Sequence, residues 1–391
     1  MRYPVNWEIV KLSDICDIKI GKTPARKTPG FWKDGIYPWL SISDMNQGRM
    51  ISNTKEKITE YAAKKTKINL VPQNTLLLSF KLSIGKVGIT AIPMFTNEAI
   101  AALTNISKKA TTEYLYWVLK SINLEEGIDR AAKGKTLNKK KLAEIEIPLP
   151  PLPEQKRIAA ILDKADALRN KRKKSIAKLD ELLRSVFFDM FGDPVTNTMG
   201  WEHANLSSIG SVVTGNTPPR KKADYYGNYI EWIKSDNLNT EEYIITKASE
   251  YLSEEGVAVA RTAPQGSILV TCIAGSPNCI GNLGYADRPV SFNQQINAFT
   301  PNDIDRTYFY YSLLKYSKKL IQRASTNGMK GLVSKSSFSS IQVIVPPPSL
   351  QDEFIEIFKK INNQRILLKK QLLKNYNLFI SLQQHAFRGE L

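Results

Sequence analysis

The chain has 391 residues, of which 42% are hydrophobic and 9% aromatic, so it can bury a substantial core and is neither disordered nor collagen-like. Lysine and arginine number 55 against 37 aspartates and glutamates, and the net charge of +18 favours a polyanionic partner such as nucleic acid over a merely basic surface. Two histidines and three cysteines cannot form a zinc site of the usual ligand spacing, and no apolar run is long enough to span a membrane. We therefore expect a cytoplasmic protein without a metal site, whose thiols are structural.

The sequence contains an internal repeat. Eight residues recur exactly 194 positions later, and further matches follow at an offset of 192, as small deletions in loops would produce. The residues of the first copy are Trp7, Leu12, Ile15, Gly21, Thr23, Pro24, Arg26 and Lys27. Their counterparts are Trp201, Leu206, Ile209, Gly215, Thr217, Pro218, Arg220 and Lys221. A repeat of this length predicts two domains with the same fold.

The repeat divides the chain into four parts. We predict a first domain over 1–150, a long helix over 151–191, a second domain over 192–345 and a second long helix over 346–391. Each domain has a mixed pattern of helices and strands, which predicts an α+β fold.

Short segments of the two domains predict individual elements. Apolar, β-branched runs bounded by proline, glycine or asparagine predict strands, and apolar residues at helical spacing predict internal helices. The strands are expected within 74–80, 86–92 and 267–273, and the helices within 111–122 and 305–321.

In the two long helices, apolar residues alternate at spacings of three and four, as in the seam of a coiled coil. The expected seam residues are Ile158, Ile161, Leu168, Leu179 and Leu182 in the first helix, and Phe354, Ile357, Ile361, Leu368 and Leu378 in the second. Each seam is about 42 Å long at the rise of an α-helix. Because each helix follows one copy of the repeat, an internal pseudo-twofold axis would pair them as an antiparallel coiled coil.

We find no candidate catalytic residues in the sequence. The Gly-Lys-Thr triplets at Gly21 and Gly134 have Cys16 and Asp129 where a phosphate-binding loop requires its first glycine. The Glu-x-Lys spacing that begins at Glu154 lies at the start of a helix, where helix capping is the simpler explanation. The motifs of dinucleotide binding and of methyl transfer to DNA are also absent.

The order of these motifs resembles the specificity subunit of type I restriction-modification systems over the whole chain. The resemblance rests on two halves that start at a tryptophan, each with a Gly-x-Thr-Pro loop. It also rests on Leu-Pro-Pro-Leu-Pro-Glu-Gln-Lys over 149–156 before the first long helix, Phe-Gly-Asp-Pro over 191–194 after it, and Ala-Phe-Arg-Gly-Glu-Leu over 386–391.

The resemblance implies two target-recognition domains, each of which reads one half of a bipartite DNA sequence, and two helices that act as a spacer. It also implies that the chain is not catalytic by itself and binds no cofactor. Its partners would be double-stranded DNA, methyltransferase (modification) subunits that dock on the helices, and a restriction subunit that translocates and cleaves DNA. S-adenosylmethionine, ATP and Mg²⁺ would be bound by those partner subunits, and no membrane would be involved.

The repeat also sorts the candidate DNA-binding residues. Loop residues at repeated positions cannot by themselves distinguish two different half-sites, so we expect phosphate contacts or scaffold roles for Lys22, Thr23, Arg26, Lys27, Thr217, Arg220 and Lys221. Base-reading residues are expected where the halves differ, because the side chains there can bond base edges. The candidates are Gln47, Arg49, Lys81, Ser83, Lys86, Lys133 and Lys135 in the first domain, and Asn237, Asn239, Ser276, Asn278, Asn327 and Lys330 in the second.

Two other functions are compatible with parts of the sequence. A nucleic-acid-binding or protein-scaffold adaptor would also be basic and rich in coiled coil, but it would show no preference for a split DNA sequence. A nuclease or methyltransferase of unusual type would be active alone, and the missing motifs disfavour it.

Overall fold

The computed structural model describes residue 4 and residues 6–124, 137–325 and 331–391. The chain forms two compact units. Unit 1 comprises Met1–Lys173 and Lys370–Leu391, and unit 2 comprises Lys174–Lys369. Each unit therefore contains one copy of the repeat together with a part of each long helix.

Unit 1 contains ten strands in the described residues, and the first long helix begins in it. The strands are β1 (Glu8–Lys11), β2 (Asp17–Ile20), β3 (Tyr37–Leu40), β4 (Met50–Ile51), β5 (Glu56–Ile58), β6 (Leu76–Ser79), β7 (Val87–Thr90), β8 (Phe95–Thr96), β9 (Ile100–Thr104) and β10 (Glu146–Leu149). The helices are α1 (Leu12–Ile15), α2 (Pro29–Trp32), α3 (Glu60–Thr66), α4 (Thr112–Ser121), α5 (Lys139–Ala143) and the long helix α6 (Leu152–Phe191), and a 3-10 helix covers Asp44–Gln47.

Unit 2 contains the strands that follow α6, and the second long helix begins in it. The strands are β11 (His203–Asn205), β12 (Gly210–Thr214), β13 (Tyr226–Ile233), β14 (Tyr251–Leu252), β15 (Thr262–Ala263), β16 (Ile268–Thr271), β17 (Ile273–Ala274), β18 (Leu283–Tyr285), β19 (Val290–Phe292), β20 (Ile296–Pro301), β21 (Gly331–Leu332) and β22 (Gln342–Ile344). The helices are α7 (Leu206–Ile209), α8 (Glu254–Val259), α9 (Thr307–Tyr316), α10 (Lys318–Arg323), α11 (Lys335–Ser339) and the long helix α12 (Pro348–Arg388). The 3-10 helices are Ala223–Tyr225, Ser235–Leu238, Pro277–Cys279 and Ile304–Arg306.

The two units share the strand order of both sheets, except that β4 of unit 1 and β15 of unit 2 are additional edge strands. The main sheet has the strand order β2-β9-β6-β7-β4 in unit 1 and β12-β20-β16-β18 in unit 2. A second sheet has the order β5-β3-β8 in unit 1 and β14-β13-β19-β15 in unit 2. In both second sheets, β3 or β13 pairs antiparallel with one neighbour and parallel with the other. The predicted repeat and the α+β class are confirmed.

The predicted strands and helices form where the sequence places them. All four residues of β6 are buried, as its run of three leucines requires. The helix α4 begins after Thr111, whose hydroxyl accepts a hydrogen bond from the backbone amide of Tyr114 at 3.3 Å. The helical pattern over 305–321 is divided at Ser317 into α9 and α10.

Each long helix begins behind prolines and carries a buried glutamine in its first turn. The Gln155 amide donates to the carbonyl oxygens of Pro150 and Lys109, both at 2.8 Å, and its oxygen accepts from the Thr111 amide at 3.0 Å. The amide of Gln351 donates to the carbonyl of Pro346 at 2.7 Å, but its own buried oxygen has no hydrogen-bond partner in the described residues.

The long helices run antiparallel within unit 2. Phe187 of α6 packs against Phe354 of α12, with ring centres 5.4 Å apart, and seven residues earlier Asp180 bonds Arg365, 2.8 Å from Oδ1 to Nε. Moving back along α6 thus corresponds to moving forward along α12, so the two helices run in opposite directions.

Unit 1 contains the opposite ends of the same helices. Ile158 near the start of α6 belongs to the same buried cluster as Phe387 near the end of α12. Further along α6, the guanidinium of Arg169 lies 3.9 Å from the ring centre of Phe379 and 5.1 Å from that of Tyr376. The pairing is thus antiparallel in this unit as well.

Three predicted seam positions are wrong. Leu168, Leu182 and Leu378 have exposed fractions of 40%, 48% and 51%, whereas the residues that follow the latter two, Leu183 and Phe379, are buried. Arg169, and not Leu168, contacts α12 at this point of the seam. A pattern of apolar residues does not predict an arginine at a seam position. The other predicted seam residues are buried or partly buried, and they are Ile158, Ile161, Leu179, Phe354, Ile357, Ile361 and Leu368.

Candidate nucleic-acid interface

The repeated Gly-x-Thr-Pro loop has the same anchors in both units. A side chain at Gly21 would place its Cβ 2.1 Å from a backbone oxygen of β8, and one at Gly215 would lie 2.3 Å from a backbone oxygen of β19. The indole of Trp39 donates to the carbonyl after Gly21 at 3.0 Å, and the indole of Trp232 donates to the carbonyl after Gly215 at 3.2 Å. The glycine is therefore required by close backbone contact, and the tryptophan holds the loop against the sheet.

The repeated arginine of this loop is engaged inside its own unit. In unit 1, Arg26 forms an ion pair with Glu56 and lies 4.0 Å from the ring centre of Trp32. In unit 2, Arg220 bonds Glu250 at 2.7 Å and lies over the rings of Tyr226 and Trp232, at 4.6 and 4.8 Å. Hydrogen bonds from Lys234 and Arg220 lower the pKa of the Glu250 carboxyl. These contacts give both arginines a scaffold role, while their contact with DNA stays a prediction.

Other repeated polar residues also bond within their units. The ammonium of Lys22 donates to the backbone carbonyls of Thr66, the last residue of α3, and of Lys67, the residue after it, both at 3.2 Å. Its positive charge complements the negative C-terminal end of that helix. The hydroxyl of Thr23 donates to Glu98, and that of Thr217 donates to Gln294.

Two repeated lysines remain available to a partner. Lys27 and Lys221 are exposed at corresponding positions, and neither side chain has an ion pair or hydrogen bond in the described ranges. An exposed ammonium on a loop with fixed anchors is suited to a phosphate oxygen. Among the predicted phosphate contacts, these two best fit that role.

In unit 1 the divergent segments meet at one end of the main sheet. Arg49 precedes β4 and Lys86 precedes β7, and these strands pair in parallel. Lys86 donates to the carbonyl of Ile42 at 3.3 Å. The hydroxyl of buried Ser79 donates to the backbone carbonyl of Ser83 at 2.5 Å, and this bond orders the hairpin between β6 and β7. The hairpin also carries Lys81, whose ammonium lies 5.4 Å from the ring centre of Phe80.

Two candidates of unit 1 are bound within the unit. Arg49 pairs with Asp163 of α6 and lies 4.8 Å from the ring centre of Tyr116. The Gln47 amide donates to the carbonyls of Asp44 and Asn53, at 2.8 and 2.6 Å. Each would have to give up these contacts before it could bond a base edge.

In unit 2 the structure brings together two of the divergent segments. The oxygen of Asn239 accepts from the amide of Asn282 at 2.5 Å, and the oxygen of Asn282 accepts from the ammonium of Lys318, also at 2.5 Å. The same ammonium donates to the carbonyl of Asn278 at 2.9 Å. Ser276 is exposed at the start of this loop. We call Asn239, Asn282 and Lys318 the amide cluster.

Two members of the amide cluster were not among the sequence candidates. Asn282 lies only four residues beyond Asn278 in the same divergent loop, so a wider window would have included it. Lys318 follows the break between α9 and α10, which the helical pattern alone did not predict.

One base-reading candidate of unit 2 requires a correction. Asn237 is buried, its amide donates to Thr246 at 3.0 Å and to the carbonyl of Lys247 at 2.9 Å, and its oxygen accepts from the Lys234 amide at 3.0 Å. It stabilises the turn after β13 and does not face a partner. The candidates Lys133, Lys135, Asn327 and Lys330 lie outside the described residues.

The remaining chemistry of the described residues is structural. Burial raises the pKa of the Cys16 and Cys272 thiols to about 12, so neither is a thiolate near neutral pH. Across the described ranges, no three His, Cys, Asp or Glu side chains lie close enough together to hold a metal ion. No helix in that part of the chain combines the length and apolar character of a membrane span.

Comparison with known proteins agrees with this architecture. Residues 4–179 and 199–375 each match the family model of the type I restriction modification DNA specificity domain. The type I restriction enzyme MjaIX specificity subunit of Methanocaldococcus jannaschii is 26% identical, over 94% of this chain and 91% of that protein. The HindI specificity subunit of Haemophilus influenzae is 30% identical over 44% of this chain and 40% of that protein.

Solved structures share the fold. The S subunit of the type I restriction-modification system from M. genitalium has a TM-score of 0.60 at 17% identity, with 99% of this chain and 98% of that chain covered. A chain from a structure on complex assembly and conformational transition of the type I R-M system has a TM-score of 0.59 at 16% identity, with both chains fully covered. With two copies of the DNA specificity domain in one topology, the chain belongs to the type I restriction-modification specificity subunit family.

Proposed function

We propose that this chain supplies the DNA specificity of a type I restriction-modification complex, with each domain reading one half of a bipartite duplex sequence. The observation that carries the proposal is the contrast between the repeated anchors of the Gly-x-Thr-Pro loop and the divergent polar loops. Two copies of one scaffold with different loop side chains are suited to two different half-sites. The net charge of +18 provides the electrostatic attraction that DNA binding requires.

Membership in the family supports a proposal about the partners. We propose that methyltransferase subunits dock on the long helices and that a restriction subunit joins for cleavage. In this scheme S-adenosylmethionine, ATP and Mg²⁺ belong to those subunits, and the chain contributes DNA binding without catalytic groups of its own. The complex would act in the cytoplasm.

A methylation map of the host genome, with and without the gene, tests the proposal directly. We expect one split motif with a fixed gap to lose its methyl groups when the gene is deleted. The purified chain should also prefer a duplex that carries this motif over one with either half scrambled. An adaptor without split-site specificity would leave the map unchanged and would bind both duplexes equally.

The spacer role of the helices has a separate test. Four residues inserted after Arg172 would rotate the following part of α6 relative to its partner and break the seam register. We expect the gap of the methylated motif to change, or methylation to be lost. An identical motif with an identical gap would show that the helices do not set the spacing.

A further inference from the structure

Unit 2 has a second polar surface, outside the predicted base-reading loops. The last turns of α6 lie opposite α9 and α10 across a cleft of about 900 Å³. Five basic residues line it, and we call this surface the basic cleft. They are Arg184, Lys315, Lys318, Lys319 and Arg323. Phe188 and Tyr316 contribute apolar lining, with ring centres 5.6 Å apart.

The positive charge of the basic cleft is only partly neutralised. Of its three acidic residues, Asp180 already accepts hydrogen bonds from Tyr243 at 2.6 Å and from buried Arg365 at 2.8 Å. Arg184, Lys319 and Arg323 form no ion pair among the described residues. The surface therefore has more cationic groups than the protein itself satisfies.

Desolvation makes the charged form of two of these lysines unfavourable without an anionic partner. Burial lowers the pKa of the Lys315 and Lys318 ammonium groups, because a charged amine loses hydration beside α6 and the neighbouring loops. A bound anion would compensate for that loss, since an opposite charge within a few ångströms stabilises the ammonium form.

The basic cleft is continuous with the amide cluster. A neighbouring cavity of about 730 Å³ shares Asp180, Lys315 and Lys318 with it and extends to Asn239 and Asn282. The ammonium of Lys318 belongs to both, because it bonds Asn282 and also lines the basic cleft. A polymer that contacts the amide cluster can therefore extend along the basic cleft without leaving unit 2.

The other copy of the repeat shows that the fold does not require all of this charge. The helices α4 and α9 correspond residue for residue at an offset of 195, so Lys315 corresponds to Lys120, and each of these lysines lies over a tyrosine four residues earlier. Arg184 of α6, in contrast, corresponds to Ile380 of α12, by the same offset that relates Arg169 to Arg365. A basic residue that the scaffold does not require, on a surface with other basic side chains, indicates a binding role.

We propose that the basic cleft binds the phosphate backbone of duplex DNA beside the half-site read by the second domain, an inference that rests on the proposed function. Arginine and lysine neutralise phosphates and release counterions, which adds affinity without reading sequence. The amide cluster would then select the bases, and the basic cleft would fix the position of the duplex on unit 2.

The test uses the full chain and the double variant Lys319→Gln/Arg323→Gln, two exposed residues whose replacement leaves the core intact. Binding to a random-sequence duplex is measured by fluorescence anisotropy over a series of salt concentrations. We expect roughly tenfold or greater weakening near 0.1 M salt and a salt slope smaller by about one to two, because each lost phosphate contact removes about 0.9 from the slope. The matched control is Lys359→Gln/Lys360→Gln, which removes the same charge from an exposed part of α12 and should retain the wild-type slope.

The outcomes separate the two proposals. If the double variant retains the wild-type slope while the wild type prefers the split motif, the basic cleft does not bind DNA and the proposed function stands. If the variant retains that slope but no longer assembles with a methyltransferase subunit, the cleft binds a protein instead and the inference is overturned. If the wild type has no preference for any split motif, the proposed function itself fails.

Discussion

The two units use one scaffold with different surfaces. Arg26 and Arg220 both stack on aromatic rings and pair with a glutamate thirty residues away, so the loop is held identically in each. The loops at the end of the main sheet differ: unit 1 presents Lys81 and Lys86, whereas unit 2 presents the amide cluster. The repeated arginine is thus explained by packing, and a residue that differs between the copies is the better candidate for base recognition.

The divergent loops share one structural feature, a contact with an aspartate of α6. In unit 1, Arg49 pairs with Asp163, which also accepts from the indole of Trp117 at 2.7 Å. In unit 2, Tyr243 donates to Asp180 at 2.6 Å. Both loops are therefore attached to a carboxylate of α6, although the residues that reach it are of different types. Recognition loops and long helices are mechanically connected in each unit.

The largest expected difference between the units concerns the buried arginines of the seam. Arg365 has a side chain that is only 3% exposed, and it bonds Asp180 and the carbonyl of Glu241, so Arg365→Met should lower the free energy of unfolding by about 3 kcal/mol. Arg169→Met should cost less, about 2 kcal/mol, because it breaks a single ion pair, with Asp166, and the methionine can still pack on Phe379. Urea unfolding with hydrogen exchange in each unit measures both, and equal losses would contradict the comparison.

The repeated glycines provide the next largest effect, and here the units should agree. Gly21→Ala and Gly215→Ala both force a Cβ into backbone oxygens, so each should destabilise its unit by about 2 kcal/mol. Gly30→Ala is the matched control, because its Cβ would meet nothing within 4 Å. Thermal unfolding of the three variants is the measurement, and a control as unstable as Gly21→Ala would refute the close-contact explanation.

Base preference should change in one half-site at a time. Asn282→Ala removes the central member of the amide cluster, and we expect a loss of about 1–2 kcal/mol in discrimination within one half of the motif. Lys86→Ala should act on the other half by a similar or smaller amount. Binding to a library of duplexes with single base changes separates the two. An equal change in both halves for either variant would remove the assignment of half-sites to units.

The smallest effects distinguish the exposed and the engaged basic residues of the repeated loop. Lys27→Ala should reduce the salt slope by about one phosphate contact without a change in stability or sequence preference. Arg26→Ala should lower stability by less than about 1 kcal/mol, because its ion pair is exposed and its stacking is partial. Anisotropy titrations and unfolding curves of both variants measure this, and a new sequence preference in Arg26→Ala would contradict its scaffold role.

Much of the fold could be predicted from the sequence because short-range signals, such as helix caps, helix stops and apolar spacing, determine it. The end of α6 at Phe191 follows from the Gly-Asp-Pro after it, and α4 follows from its apolar spacing and the Thr111 cap. The duplication is detectable because the anchors Gly21 and Trp39 recur in the second copy, and a Cβ at Gly21 would collide with backbone oxygens.

The rest depends on contacts that sequence periodicity does not encode. The seam register was missed because Arg169 buries a charged group on aromatic rings, which no count of apolar residues anticipates. Asn237 looked like a base reader because an asparagine has the same donors and acceptors in a turn as at an interface. Lys318 and Asn239 are distant in sequence and meet only through Asn282, so their association required the structure.

The glutamines at the start of the long helices have a thermodynamic consequence for local stability. Gln155 joins the first domain to α6 through three hydrogen bonds, while Gln351 donates one and its buried oxygen has no partner among the described residues. A buried polar atom left without a partner costs about 1–3 kcal/mol, so the joint at the start of α12 is the less stable of the two. Local opening at the start of α12 should therefore need less free energy than local opening at the start of α6.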